Sequence, residues 1–221
     1  DQKRYLRLRD LEGTEADYAD ALKFLSECLY SCTGKKAVIL IDEYDVPLEN
    51  AYFSGFYDRM TDTIRSLFES AFKTNENLEF AVVTGCLRIS KESIFTGLNN
   101  LKIMSVTSKD CGEYFGFTQE EVRKMLDFYG LTENYETVRQ WYDGYQFGNA
   151  EVYNPWGVIN YVDSCRQDKN SLPKPYWSNT SSNNIVRTLV EKADFSVKQE
   201  IEDLIEGKTI IKPIHEDITY E

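Results

Sequence analysis

Hydrophobic positions in the first hundred residues fall at helical spacing in two stretches. The first stretch, residues 14–32, begins at Thr14, a candidate N-cap. Gly34 is expected to end this helix. The apolar positions of this stretch are Ala16, Ala19, Leu22, Leu25 and Leu29. Residues 57–73 place a second set on one stripe, namely Met60, Ile64, Leu67, Phe68 and Phe72. This spacing predicts two amphipathic helices.

Short aliphatic runs separate these helices. Ala37–Ile41 is an uninterrupted aliphatic run, which predicts a strand buried on both faces of a parallel sheet. A second strand is predicted over residues 79–84, and a third over residues 102–106 (Lys102 to Val106). Helices that alternate with strands are typical of parallel βαβ units, so the predicted fold class is α/β.

After about residue 110 the pattern changes to short amphipathic helices. They are predicted over residues 118–130, 135–145, 154–164, 181–193 and 197–207. Asn154 is a candidate N-cap, and Pro155 follows it in the first turn. The expected organisation is an α/β core over residues 1–110 and a mostly helical subdomain over residues 111–221. The aromatic residues of the second part are expected to form its core. They are Trp141, Tyr142, Tyr145, Phe147, Tyr153, Trp156, Tyr161, Tyr176 and Trp177.

Composition and charge exclude several classes of function. The formal net charge is -12, with 37 acids against 25 bases, so nucleic acid is not expected to bind through this acidic segment. No apolar run approaches the roughly 20 residues of a membrane span. Five cysteines without metal-ligand spacing, and one histidine, favour free thiols and a cytoplasmic location. The chain begins with Asp1 rather than Met, and we expect it to be a fragment of a longer protein.

Three carboxylates follow the first predicted strand within four positions. An aliphatic strand that ends in Asp-Glu is the Walker B arrangement of P-loop NTPases. Asp42 would then hold Mg²⁺, and Glu43 would polarise the attacking water. The alternative is a strand followed by an acidic turn, in which Asp45 ahead of Pro47 is ordinary turn chemistry.

The second predicted strand ends in a hydroxyl, Thr84. ATPases of this broad class place there a polar sensor that contacts the attacking water or the γ-phosphate. Arg88 and Lys91 follow closely and carry charge that can meet phosphate. The alternative makes Thr84 and Gly85 a turn, and Arg88 a solvated cation.

Five ordered motifs resemble a known family. They are VILIDEYDVPL, AVVTGCLRISKESIFTGLNNL, EYFGFTQEEV, WYDGYQFGNAEVYNPWGVINYV and PYWSNTSSNNIV. From about residue 20 to its end, the chain is similar to the AAA-ATPase-like proteins of anaerobic bacteria, in which a P-loop ATPase-like domain precedes a PD-(D/E)XK nuclease-like domain. The resemblance implies a partial P-loop NTPase (AAA-like) core with ATP and Mg²⁺ as cofactors. It assigns Asp42 and Glu43 to Walker B, residues 84–88 to the sensor region, and the helical part to a lid or interaction element.

The chain departs from that family's pattern at the phosphate loop. No G-x-x-x-x-G-K-[ST] occurs in the 221 residues, and in TGKKAV Lys36 stands where Ser or Thr would take Mg²⁺. The resemblance therefore implies an upstream Walker A segment and a downstream nuclease-like domain in the parent chain. A homo-oligomer is also compatible with it, since AAA-like ATPases often complete their sites with a neighbour's arginine.

Two other functions stay open from the sequence. The first is a non-hydrolysing module in which the ATPase fold serves as a scaffold for partner binding. The second is a metal site formed by Asp42, Glu43 and Asp45 with its own hydrolase activity. It is the weaker, because adjacent strand residues point to opposite faces.

Overall fold

A computed structural model describes residues 2–86, 94–95, 97–105, 107–178 and 184–213, without the side chains of 184–186 and 189. The chain divides into two compact units. The amino-terminal unit comprises Asp1–Lys102 and Ile211–Glu221, and the second unit comprises Ile103–Ile210. None of the described helices is long and apolar enough to cross a membrane.

The amino-terminal unit consists of five α-helices, one π-helical turn and two strands, within the described residues. In chain order they are α1 (Gln2–Arg9), α2 (Glu15–Ala19), α3 (Ala21–Thr33), β1 (Ala37–Ile41), α4 (Val46–Ser54), α5 (Tyr57–Phe68), the π-helical turn (Glu69–Lys73) and β2 (Leu78–Val83).

The helix predicted over residues 14–32 is two helices. Thr14 begins α2 as predicted, with a capping box to Asp17. The chain leaves helical geometry at Asp20, whose carboxylate accepts hydrogen bonds from Arg4 at 2.7 Å and from the Ser70 hydroxyl. The break thus lies where the Asp20 side chain contacts two other elements. Gly34 ends α3 with a φ of 68°, a left-handed conformation that favours glycine.

The two strands pair in parallel, and one face of the sheet is buried. Val38 pairs with Phe80, and Leu40 pairs with Val82. The buried face contributes to a cluster formed with α4, α5 and the π-helical turn. Its fully or nearly buried members are Ile39, Tyr44, Leu48, Ile64, Phe68, Ala71, Phe72, Ile94 and Leu98. The apolar stripe predicted for residues 57–73 is confirmed, since all five of its side chains contribute to this cluster.

The other face of the sheet corrects a prediction. The strand Ala37–Ile41 is not buried on both faces, because Val38 is 57% exposed and Leu40 is 73% exposed. Their partners Phe80 and Val82 are 60% and 39% exposed. A parallel sheet is normally covered on both sides, so this apolar face is unusual. No described element covers it.

The third strand predicted from Lys102 to Val106 is also wrong over its described part. Residues 102–105 have no regular strand structure, and Val106 lies outside the described residues. A short stretch with a few apolar residues becomes a strand only when a neighbour supplies its hydrogen bonds. In the described residues the parallel sheet consists of β1 and β2.

The second unit is built from five α-helices and a small hairpin, within the described residues. In chain order they are α6 (Gln119–Phe128), α7 (Tyr135–Tyr142), β3 (Tyr145–Phe147), β4 (Ala150–Val152), α8 (Pro155–Gln167), α9 (Asn184–Lys192) and α10 (Phe195–Ile205), with 3-10 turns at Gly112–Tyr114 and Thr132–Asn134. Asn154 caps α8 as predicted, by accepting a hydrogen bond from the Gly157 amide at 2.8 Å.

Tyrosines rather than tryptophans form the core of the second unit. Tyr142, Tyr153 and Tyr161 are at most 2% exposed, and the Tyr135 and Tyr153 hydroxyls are 3.0 Å apart. Trp141, Trp156 and Trp177 are 48%, 53% and 48% exposed. The prediction that the aromatic set forms a core is thus confirmed for Tyr142, Tyr153 and Tyr161. It is wrong for the three tryptophans and for Tyr145, which is 43% exposed.

Neighbouring residues on β1 give a direct test of the two sheet faces. We expect Ile39→Ala to lower the free energy of unfolding by about 2–5 kcal/mol, because it leaves a cavity in the core. Leu40→Ala is the control and should change it by less than about 0.5 kcal/mol, as for an exposed position. Urea denaturation of both variants measures the difference; equal losses would show that both faces are buried in solution.

Gly157 in α8 gives a test of the second unit. A Cβ at this position would lie 2.5 Å from Cδ1 of the buried Tyr142 ring. We therefore expect Gly157→Ala to destabilise the protein by about 1–3 kcal/mol, although Gly→Ala usually stabilises a helix interior. Asp163→Ala, on the exposed side of α8, is the control. A gain in thermal stability for Gly157→Ala would contradict this packing.

Candidate functional site

Asp42 and Thr84 meet at the carboxyl ends of the two parallel strands. The Thr84 hydroxyl donates a hydrogen bond to Oδ1 of Asp42. The backbone pairing continues past the strands, since the Thr84 amide donates to the Ile41 carbonyl at 2.8 Å and the Tyr44 amide donates to the Thr84 carbonyl at 3.0 Å. Both side chains are exposed. Two residues 42 positions apart, each predicted as functional, are thus brought together.

Glu43 lies next to this pair in an uncommon backbone conformation. Its φ is 53°, in the left-handed region that non-glycine residues seldom adopt. The chain turns here, and the Val46 amide donates to the Glu43 carbonyl at 3.2 Å. The turn removes Glu43 from the strict alternation of a strand. Glu43 is exposed, as is Asp42 before it in the chain.

Asp45 differs from the other two acids because it is buried. It is 5% exposed, and its Oδ2 accepts a hydrogen bond from the Cys86 amide at 3.0 Å. It also begins α4, where its carbonyl accepts from the amides of Leu48 and Glu49. The interpretation of Asp45 and Pro47 as a turn missed this helix. Proline in the first turn after an Asp is a helix-start signal, so the sequence contained the information.

Gly85 fits closely between these groups. A Cβ on Gly85 would lie 2.6 Å from the Tyr44 ring and 2.8 Å from Oδ1 of Asp45. Any larger residue must displace one of them. Glycine at this position is therefore required by the close approach of the two chain segments.

The carboxylates create a negative local field. Although Cys86 is exposed, partial desolvation raises the pKa of its thiol, and the charges of Asp45, Glu43, Glu49 and Asp42 raise it further. The thiol is thus held in its neutral form at physiological pH and is a poor nucleophile. The chemistry of this edge of the sheet is that of carboxylate and hydroxyl oxygens.

The oxygen donors fit a hard cation only in part. Carboxylate and hydroxyl oxygens are suitable partners for Mg²⁺, and Asp42 and Thr84 present both. The described residues contain no group of three His, Cys, Asp or Glu that could hold a metal ion. A metal centre formed by Asp42, Glu43 and Asp45 is therefore not supported, because Asp45 is buried against the Cys86 amide whereas the other two are exposed.

Arg88 and Lys91, which the sequence places near the phosphates, lie outside the described residues. The positions of the positively charged side chains that are expected to meet the phosphates are therefore not described. The described cluster comprises Asp42, Glu43 and Thr84, and Asp45 nearby in the chain is buried.

Comparisons with known proteins bear on the same region. The family model of AAA-ATPase_like, described as "Predicted AAA-ATPase", matches residues 2–95. A protein of Azotobacter chroococcum mcd 1, described as "Uncharacterized protein in vnfD 5'region", is 30% identical over 171 residues. That alignment covers 76% of this chain and 31% of the relative, so the chain spans less than a third of the relative's length. No solved structure matches the chain.

The family match is shorter than the resemblance read from the motifs, since it ends at residue 95. It includes the strand ends that carry Asp42, Glu43 and Thr84. The amino-terminal part of this chain is thus similar to the AAA-ATPase-like family, and the match supports an ATPase-like function.

Proposed function

We propose that the strand-end cluster is the water-activating half of an ATP-hydrolysing site. The hydrogen bond from Thr84 to Asp42 carries the proposal, because it joins the ends of two adjacent parallel strands. Ligands of open α/β sheets bind outside the carboxyl ends of the strands. In this proposal Glu43 accepts the proton of the attacking water, Thr84 orients that water, and Asp42 is the Mg²⁺ partner. Arg88 is assigned to the phosphates from the sequence alone.

The exposure of each group suits its role. Glu43 and Asp42 are solvent-exposed, so a water molecule or a hydrated cation can reach both. The backbone of Glu43 is left-handed, with a φ of 53°, so its position does not follow the alternation of β1. Bound Mg²⁺ would supply charge stabilisation to the phosphate oxygens. In this proposal the chain supplies the carboxylate that binds the cation and the carboxylate that acts as base. Its 221 residues contain no G-x-x-x-x-G-K-[ST] loop to bind the phosphates.

A phosphate-binding loop of the G-x-x-x-x-G-K-[ST] type does not occur in the 221 residues. We propose that an upstream Walker A segment of the same polypeptide completes the nucleotide site. A downstream nuclease-like domain, a homo-oligomeric assembly and a cytoplasmic location stay predictions from the sequence. So does the expectation that nucleic acid does not bind through this acidic segment.

One observation favours a different function. The exposed apolar face of the sheet (Val38, Leu40, Phe80 and Val82) resembles a surface that another element covers. A non-hydrolysing module that binds a partner through an ATPase fold would have such a surface. The ATPase proposal is preferred because a scaffold has no need of a hydroxyl–carboxylate pair beside an exposed glutamate.

Substitutions at the site separate binding from chemistry in a polypeptide that carries the phosphate loop. Glu43→Gln removes the base, so turnover should fall by roughly 10²–10⁴-fold. ATP affinity should stay within about threefold, since the side chain does not hold the phosphates.

Asp42→Asn should instead weaken Mg²⁺-dependent binding, and Thr84→Ala should slow hydrolysis with little change in binding. Phosphate release and Mg-ATP binding are measured side by side.

Glu76→Gln is the matched control for Glu43→Gln. Glu76 is exposed and lies just before β2, at the opposite edge of the sheet, and its substitution makes the same change of charge. It should hydrolyse ATP like the parent. If Glu43→Gln also does so, the base assignment is wrong and the scaffold function is favoured.

The affinity of the 221-residue chain for Mg-ATP gives a separate test of the proposal that the phosphate-binding loop lies in another segment. We expect it to bind Mg-ATP weakly or not at all, because the phosphate loop normally supplies most of the amide donors and the lysine that hold the phosphates. Isothermal titration calorimetry measures the affinity. A micromolar dissociation constant for these residues alone would contradict the proposed division of the site.

A further inference from the structure

We propose that Asp45 is a positioning residue that holds the end of β2 so that Thr84 faces Asp42. Asp45 has no place in the water-activating cluster itself, because it is buried behind it. Its consequence for catalysis rests on the proposed function, whereas its structural role does not. The third acid of the Asp-Glu-x-Asp sequence thereby acquires a role distinct from those of Asp42 and Glu43.

The hydrogen bonding of Asp45 departs from its position in the helix. An Asp at an N-cap usually accepts a hydrogen bond from an amide in the first turn of its own helix. Asp45 makes no such side-chain cap. Its Oδ2 instead accepts from the Cys86 amide, 41 residues away, at 3.0 Å. The carboxylate is therefore used to join two chain segments rather than to cap the start of α4.

Burial makes this bond strong and directional. Asp45 is 5% exposed, and a buried carboxylate is stable only when hydrogen-bond donors and favourable dipoles compensate for its lost hydration. The Cys86 amide and the amino-terminal end of α4, where Asp45 lies, provide both. Release of the bond would leave a buried charge without that donor, so its loss is expected to be costly.

The hydrogen bond from the Cys86 amide to Asp45 fixes the chain on the carboxyl-terminal side of Thr84, after β2 has ended. On one side the amide and carbonyl of Thr84 are tied to Ile41 and Tyr44. On the other, Cys86 is tied to Asp45, and Gly85 between them is packed against Tyr44 and Asp45. The backbone of Thr84 is thus held at both ends. The Thr84 hydroxyl is thereby directed to Asp42. Asp45 acts through the backbone and does not need to contact the side chain of Thr84 or of Asp42.

Amide hydrogen exchange of the 221-residue chain tests this role residue by residue. In Asp45→Ala the Cys86 and Tyr44 amides should exchange about tenfold faster or more, as expected when a buried bond to a charged acceptor is lost. Amides within β1 and the central part of α5 should change by less than about threefold. Asp45→Asn keeps an acceptor oxygen in the same place and should restore most of the protection.

Two further variants keep the test decisive. Asp62→Ala, which removes an exposed acid from α5, is the control and should leave Cys86 exchange unchanged. Gly85→Ala places a methyl group 2.8 Å from Oδ1 of Asp45 and should accelerate Cys86 exchange from the other side of the contact. Unchanged Cys86 exchange in Asp45→Ala overturns the proposal. An equal acceleration at all amides of the amino-terminal unit also overturns it, since that is the result of a general loss of stability.

Turnover gives the catalytic consequence separately. In an ATP-hydrolysing polypeptide that contains this sequence, Asp45→Ala should lower kcat about tenfold or more with KM within about threefold, and Asp45→Asn should recover much of kcat. Equal kcat for Asp45→Ala and the parent overturns the catalytic part. A parent that does not hydrolyse ATP overturns the proposed function, while hydrogen exchange still decides whether Asp45 holds the end of β2.

Discussion

The parallel pairing of β1 and β2 is the constraint on which the candidate site depends. In a parallel pair both carboxyl ends lie at the same edge, so residues that follow the two strands become neighbours whatever their separation in sequence. The register places Ile41 opposite Val83, and the next residues, Asp42 and Thr84, share a hydrogen bond. A shift of register by one residue would remove this contact and expose the apolar residues of the buried face.

The core beneath the sheet maintains that register. Tyr44 is 8% exposed, and its ring packs against Phe68 and Phe95 with ring centroids 6.4 and 5.3 Å away. Its amide binds the carbonyl of Thr84, so one residue links the hydrophobic core to the strand ends. Glu43 and Asp45 flank this anchor. The first is exposed and the second is buried, which follows from the left-handed turn at Glu43 rather than from strand alternation.

Local patterns in the sequence predicted much of the fold. The Thr14 and Asn154 caps, the end of α3 at Gly34, both strands and the apolar stripe of residues 57–73 all follow from short-range rules. Errors arose where long-range contacts decide the structure. The break at Asp20 depends on Arg4 and Ser70, and the burial of Asp45 depends on Cys86, none of which a helical or strand period can show. The exposed face of β1 is a third case, because an apolar run does not reveal whether a partner covers it.

The sequence names the residues of the candidate site but not their arrangement. Asp42, Glu43 and Thr84 are candidates because the two strands end at them, whereas the different burial of the three nearby acids depends on tertiary packing. The most direct test of the account is a crystal structure of a longer polypeptide that contains this sequence, bound to Mg²⁺ and ADP–aluminium fluoride, an analogue of the hydrolytic transition state. We expect the attacking water to lie within hydrogen-bonding distance of the Glu43 carboxylate and the Thr84 hydroxyl, with Asp42 facing the cation. Nucleotide bound away from the ends of β1 and β2 would contradict it.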